Sequence, residues 1–199
     1  MRLTFASAAA LAAAVVCARP AAAQQAGAPA ARSAARAGFV LTSPDLAPGA
    51  RVGARHVANT FGCSGQNVSP ALAWRGAPTG TKSYAVTVYD PDAPTGSGWW
   101  HWVVYNVPVT TTSLAAGAGD APGSGLPAGA AQGTTDFGTK GYGGPCPPPG
   151  DRPHRYVFTV HALKVDKIDV PANATAALVG FNLNANRLAS ASFTARYGR

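Results

Sequence analysis

Short apolar, β-branched and aromatic runs recur along this chain, each closed by a Gly- or Pro-rich stretch. These runs predict strands at Phe39–Thr42, Ala71–Trp74, Ser83–Tyr89, Trp100–Val107, Arg155–Leu163 and Ser190–Tyr197. The third reads Tyr-Ala-Val-Thr-Val-Tyr, the fourth is stopped by Pro108, and the fifth is the strongest strand signal in the chain. One late segment, Ala174–Leu188, has helical spacing instead. Leu178, Phe181, Ala185 and Leu188 fall on one face, and Asn173 is placed to cap the start. Residues 110–133 and 136–151 read as long loops, the first with only Leu114 and Leu126 to bury. Strands joined by such loops, with one helix near the end, predict a mainly β fold: an antiparallel two-sheet sandwich with one late α-helix.

The N-terminus follows a different logic. Arg2 precedes an uncharged apolar run from Leu3 to Val16, too short and too rich in alanine to span a bilayer stably. Ala21-Ala22-Ala23 is a small-residue cleavage site, so residues 1–23 read as a signal peptide and the mature chain begins at Gln24. Val16 before Cys17 argues against lipidation of that cysteine, because lipoprotein processing wants a small residue there. Residues 24–37 contain no large apolar side chain and read as a disordered tether rich in Ala, Pro and Arg. Residues 38–199 are the size of one domain. The expected location is the periplasm or the exterior.

Charge adds an exclusion. The formal net charge is +8, and loss of Arg2 and Arg19 with the leader lowers it to +6. The basic residues are scattered, whereas a nucleic-acid binder would gather them on one face or helix. All 8 acidic residues are Asp, which favours turns and caps, and with 23 Gly and 17 Pro this supports strands and structured loops.

The candidate chemistry begins at Asp90-Pro91-Asp92-Ala93-Pro94, which leaves one strand, and at Trp99-Trp100-His101-Trp102, which enters the next. A hairpin through this turn puts Asp90 and His101 at one sheet end, where acid, imidazole and aromatics suit a small polar-ligand pocket. On this reading Asp90 orients His101 and favours its charged form, which then donates to an anion. Gly143-Gly144-Pro145-Cys146-Pro147-Pro148 can bring backbone N–H groups to an anion on a stiff loop, although a plain linker has the same composition. His154-Arg155-Tyr156 opens the strongest strand, with Tyr156 able to add a phenol to the pocket. His56 and His161 read as structural. No Gly-x-Ser-x-Gly elbow occurs, and Ser64 and Ser69 have no base nearby in sequence. Cys63 and Cys146 read as a disulfide in an oxidising compartment, with two free thiols as the alternative. No Cys-x-x-Cys or His-x-His cluster completes a metal site.

Taken in order, Asn67-Val68-Ser69-Pro70-Ala71-Leu72-Ala73-Trp74, Asp90-Pro91-Asp92-Ala93-Pro94, Gly98 to Asn106, Gly143 to Pro148 and His154-Arg155-Tyr156 resemble the phosphatidylethanolamine-binding protein family. The resemblance is to its bacterial YbhB/YbcL-like branch, often labelled Raf kinase inhibitor-like, and spans residues 38–199. It implies a large antiparallel sheet packed on a smaller one, with an anion pocket at one end lined by Asp90, His101 and Tyr156. Asp92, Pro94, Trp99, Gly143, Gly144 and His154 match motif positions at or beside that pocket, and Cys63 and Cys146 fall in the same region. The chain ends at Tyr197-Gly198-Arg199 without the extra helix of animal members, and its Gly/Pro loop is one residue longer before His154. Lipid preference and kinase inhibition are therefore not expected to carry over.

The function expected is a non-catalytic binding protein for a small phosphorylated or other anionic ligand, with room for a protein partner and for a homodimer. Neither cofactor, metal, nucleic acid nor stable membrane insertion is expected. The alternative is a hydrolase using Asp90, His101 and Tyr156 as acid–base groups.

Overall fold

The computed structural model describes residues 38–199, so the expected signal peptide and tether lie outside the described residues. Eight strands and one helix follow in the order β1 (Val40–Thr42), β2 (Leu72–Arg75), β3 (Ser83–Asp90), β4 (Trp99–Pro108), β5 (Ser113–Leu114), β6 (Ala131–Gln132), β7 (His154–Leu163), α1 (Ala176–Asn186) and β8 (Arg187–Tyr197). They form a small sheet of order β1-β2-β5 and a large one of order β6-β4-β3-β7-β8, antiparallel throughout. This is the two-sheet sandwich that the sequence predicts.

Alternation along the central strands explains the layering. Tyr84, Val86 and Val88 of β3 join Trp102, Val104, Tyr156, Phe158 and Val160 in the core between the sheets, where Leu41, Leu72 and Trp74 meet them. The intervening Ala85, with Val103 and Tyr105, packs on the opposite face against Val179 and Leu183 of α1. The central strands are therefore covered on both sides, which is why they read as nearly continuous apolar runs.

Two expectations change. The helix ends at Asn186, so Leu188 falls in β8; it buries Ala176, Val179 and Leu183, while Leu178 and Phe181 are exposed, Phe181 by 72%. The row that faces the sheet is therefore Ala176, Val179 and Leu183, packed with Ala85, Val103 and Tyr105, and the expected stripe lies on the other side. Thr175, not Asn173, caps the helix, with its side chain accepting from the Leu178 N–H. Residues 110–133 also contribute two short strands: β5 completes the small sheet and β6 extends the large one. Leu114 anchors β5 in the core.

Two bulges interrupt the pairing of β4. Tyr89 pairs with Trp100 and Val88 with Trp102, so His101 is left over as an inserted residue. Asn106 is skipped in the same way and adopts a left-handed φ of 58°. Its side chain accepts from the Ile168 N–H and donates to the Ile168 carbonyl, which ties the segment after β7 to β4.

Candidate ligand pocket at the sheet end

The bulge at His101 re-aims this side chain. Strict alternation would put it on the helix side with Val103. The inserted residue instead faces a cavity of about 410 Å³ at the end of the sandwich, where Asp90, Pro94, Trp99, His154 and Tyr156 also form the wall. Six of the nine residues expected at the pocket therefore do meet there.

Asp90 closes β3 and is buried. Its Oδ2 lies 2.8 Å from His154 Nδ1, and its Oδ1 accepts from the Asp92 N–H at 2.8 Å, which fixes the turn. His154 Nε2 faces Asp151 Oδ2 at 3.3 Å. The partner of Asp90 is thus His154 and not His101. His101 donates from Nδ1 to the Gly143 carbonyl at 2.6 Å, since a carbonyl can only accept, and its neutral ring keeps Nε2 as an acceptor. Burial lowers its pKa to about 4, outweighing the Gly143 carbonyl and the Asp90 charge, which both pull the other way. The expectation that Asp90 orients His101 and favours its charged form is therefore corrected: desolvation wins over a carboxylate already engaged by His154.

Tyr156 stands edge-on to His101 at 5.1 Å between ring centres. Burial, with the Asp90 charge second, raises its pKa, so the phenol stays protonated and can donate. Phe137 packs edge-on against His101 and Trp99 at 5.3 and 5.5 Å. It is carried by a loop pinned to β4, where Asp136 accepts from the Trp100 N–H.

Three expected site residues do not reach the cavity. Asp92 turns outward, where its carboxylate accepts three hydrogen bonds from Arg155, each 2.9 Å, and pairs with Arg152 at 3.4 Å. The Arg155 hydrogen bond is the main cause of its pKa falling to about 2. The Gly143 and Gly144 N–H groups are both occupied, by the His101 carbonyl at 2.8 Å and by Asn67 Oδ1 at 2.7 Å. Their role is close packing: a Cβ on Gly143 would strike the Phe137 ring, and one on Gly144 the backbone of His56 and Ala58. Asn67, itself at a left-handed φ of 55°, also donates to the Tyr142 carbonyl. The Asn-Val-Ser-Pro segment thereby shapes this loop without touching the cavity.

Cys63 and Cys146 form a disulfide with Cα atoms 6.0 Å apart. It joins the loop bearing Phe61 to the loop bearing Pro147–Pro149, both part of the cavity wall. Arg199 bridges the same loops, donating from Nε to the Pro147 carbonyl at 2.7 Å and from Nη2 to the Phe61 carbonyl at 3.0 Å. Phe61, Phe137 and Arg199 were not anticipated. Phe61 and Phe137 carry a signal in hindsight, as lone large aromatics in otherwise polar, Gly-rich loops; Arg199 carries none.

Among the described residues, no helix is long and apolar enough to cross a membrane. The phosphatidylethanolamine-binding protein family model matches residues 42–198. The UPF0098 protein YbcL of Escherichia coli K12 is 56% identical over 165 residues, covering 83% of this chain and 90% of that protein. YbhB of the same organism is 54% identical over 160 residues, covering 79% and 98%. The crystal structure of E. coli YbcL superposes with a TM-score of 0.80 at 55% identity, covering 82% of this chain and 99% of that one. With its family motifs assembled at one sheet end, the chain belongs to the phosphatidylethanolamine-binding protein family.

Proposed function

We propose that this chain is a non-catalytic binding protein, periplasmic or secreted after loss of residues 1–23, that holds a small phosphorylated or otherwise anionic ligand in the cavity at the sheet end. The carrying observation is Arg199, a cation among the residues that line the cavity. Two of its N–H groups hold the loops, which leaves three of the five for a ligand. Tyr156 adds a neutral donor.

Asp90 repels a dianion, so the ligand must bring a proton. A phosphate monoanion supplies it, with its P–OH donating to His101 Nε2 while its charged oxygens face Arg199 and Tyr156. Affinity should then fall as pH rises through the second phosphate ionisation, about pH 6 for a monoester and roughly a unit higher for inorganic phosphate. The neutral imidazole, which titrates only at about 4, contributes an acceptor throughout. Pro94 and Trp99 supply apolar wall beside these groups. A protein partner acting through the occupied pocket, and a homodimer, are compatible with this role.

The test is calorimetric titration of inorganic phosphate and phosphoethanolamine into wild type, Arg199→Ala and His101→Ala at pH 5.5 and 7.5. A charge-assisted hydrogen bond contributes about 1.5–3 kcal/mol, so Arg199→Ala should weaken binding roughly ten-fold or more. Equal affinities in wild type and both variants would overturn the reading.

A further inference from the structure

Phe61 and Phe137 line the sheet-end cavity and also a second cleft of about 370 Å³ on their other side. Their rings stack at 6.0 Å between centres and 28° between planes, forming a thin partition. Phe61 is 64% exposed, and its φ of 52° is one a phenylalanine rarely adopts. The disulfide two residues on and the Arg199 bond to the Phe61 carbonyl hold it there. A large aromatic held open to solvent between two cavities is placed to meet a ligand that reaches from one into the other.

The second cleft differs in chemistry from the first. Asn59, Thr60, Thr139 and Lys140 line it, and their side chains make no hydrogen bond among the described residues. Asp120 faces it as well, with one carboxylate oxygen accepting from the Ser124 N–H at 2.8 Å. Amide, hydroxyls, ammonium and carboxylate together offer donors and acceptors in comparable number. Such a set reads a ligand rich in hydroxyl groups, each of which both donates and accepts. An exposed phenyl face beside it suits the C–H-bearing face of a pyranose ring, an apolar surface edged by hydroxyls.

We infer that the ligand is a phosphorylated saccharide, with its phosphate in the sheet-end cavity and its sugar ring over Phe61 in the cleft of Asn59, Asp120, Thr139 and Lys140. This rests on the anion reading above and names the ligand class it leaves open.

The experiment titrates full mature chain with inorganic phosphate, phosphoethanolamine, glucose 1-phosphate, glucose 6-phosphate and adenosine 5′-monophosphate, using wild type, Phe61→Ala and Lys140→Ala. At least one glucose phosphate should bind about ten-fold tighter than inorganic phosphate, a gain equal to about 1.4 kcal/mol. Lys140→Ala, an exposed change in the second cleft and outside the sheet-end cavity, should remove much of that gain and leave the affinity for inorganic phosphate within about two-fold of wild type; Phe61→Ala should remove the gain for the sugar phosphate. If phosphate binds but neither glucose phosphate binds more tightly, the saccharide inference falls and the anion reading stands. An equal gain for the nucleotide, or a gain for the sugar phosphate that survives intact in both Lys140→Ala and Phe61→Ala, also overturns it. If neither phosphate nor any of its esters binds, both fall.

Discussion

Asp90 and His154 are joined by a 2.8 Å contact between Oδ2 and Nδ1, with each side chain only 3% exposed. The contact links the end of β3 to the start of β7, two neighbouring strands whose backbone pairing ends at Tyr89 and Val157. It thus continues the sheet by side chains where the ladder stops, and it brings the turn after Asp90 to the cavity. Breaking one side of such a pair leaves a buried polar group without its partner. Asp90→Ala and His154→Ala should each lower stability by roughly 3 kcal/mol, read as a shift in urea midpoint. Unchanged midpoints in both would show that water replaces the contact without loss.

Acid sensitivity follows from two buried imidazoles. Burial pushes both His101 and His161 from 6.5 down to about 4. In the folded chain they stay neutral where the unfolded chain already takes up protons. Their contribution is fully present above pH 6.5 and is lost as pH falls from there toward 4. The loss is on the order of 2 kcal/mol per histidine at pH 5. His161→Gln should reduce the drop in melting temperature between pH 7 and pH 5 compared with wild type. An identical drop in both would remove His161 from the account.

Reduction should weaken the fold. The disulfide spans 83 residues, and closing a loop of that length corresponds to about 4 to 5 kcal/mol in the chain-entropy view. Cys63→Ser with Cys146→Ser should therefore melt well below the oxidised protein, and adding a reductant should have no further effect on the double variant. Equal melting with and without the bond would refute the contribution.

Export should leave a defined N-terminus. Intact-mass measurement of protein taken from the periplasm or medium should place it at Gln24, after Ala21-Ala22-Ala23. Recovery of the folded protein in the cytoplasm with Met1 retained would contradict it.

The sandwich was legible in the sequence because its strands carry their own signals: aromatic and β-branched runs stopped by Gly or Pro. Strands β3, β4 and β7 could be read almost to the residue and β3–β4 as a hairpin, whereas β8 begins at Arg187 and not at Ser190, and its pairing with β7 had no signal of its own. Strands β5 and β6 could not, since two residues of ladder in a Gly/Ala-rich stretch have no pattern of their own and exist only because a neighbouring strand offers an edge. The helix was found, yet its buried face was not, because the segment carries two stripes at helical spacing, one of Leu178, Phe181 and Ala185 and one of Ala176, Val179 and Leu183, and only the second meets Ala85, Val103 and Tyr105 of the sheet. In the pocket, motif order brought out Asp90, His101 and Tyr156. Which carboxylate meets which imidazole depends on a one-residue bulge and on the register of β7, and neither is written in local sequence. Phe61 and Arg199 come to the cavity through a covalent link and a C-terminal side chain, which only the folded chain brings together.

The mouth of the cavity is assembled from three stretches, near residues 61, 147 and 199, which none of the sheet ladders holds in place. Oxidation of Cys63 and Cys146 is what staples the first two. On the export proposed above, sandwich formation and completion of this mouth are separate events, the second needing an oxidant outside the cytoplasm. A preparation made in a reducing host is then expected to keep its sheet ladders and lack the covalent staple at the cavity mouth. On the proposed binding role, a blank ligand screen on such material would speak to the missing staple before it spoke to the ligand.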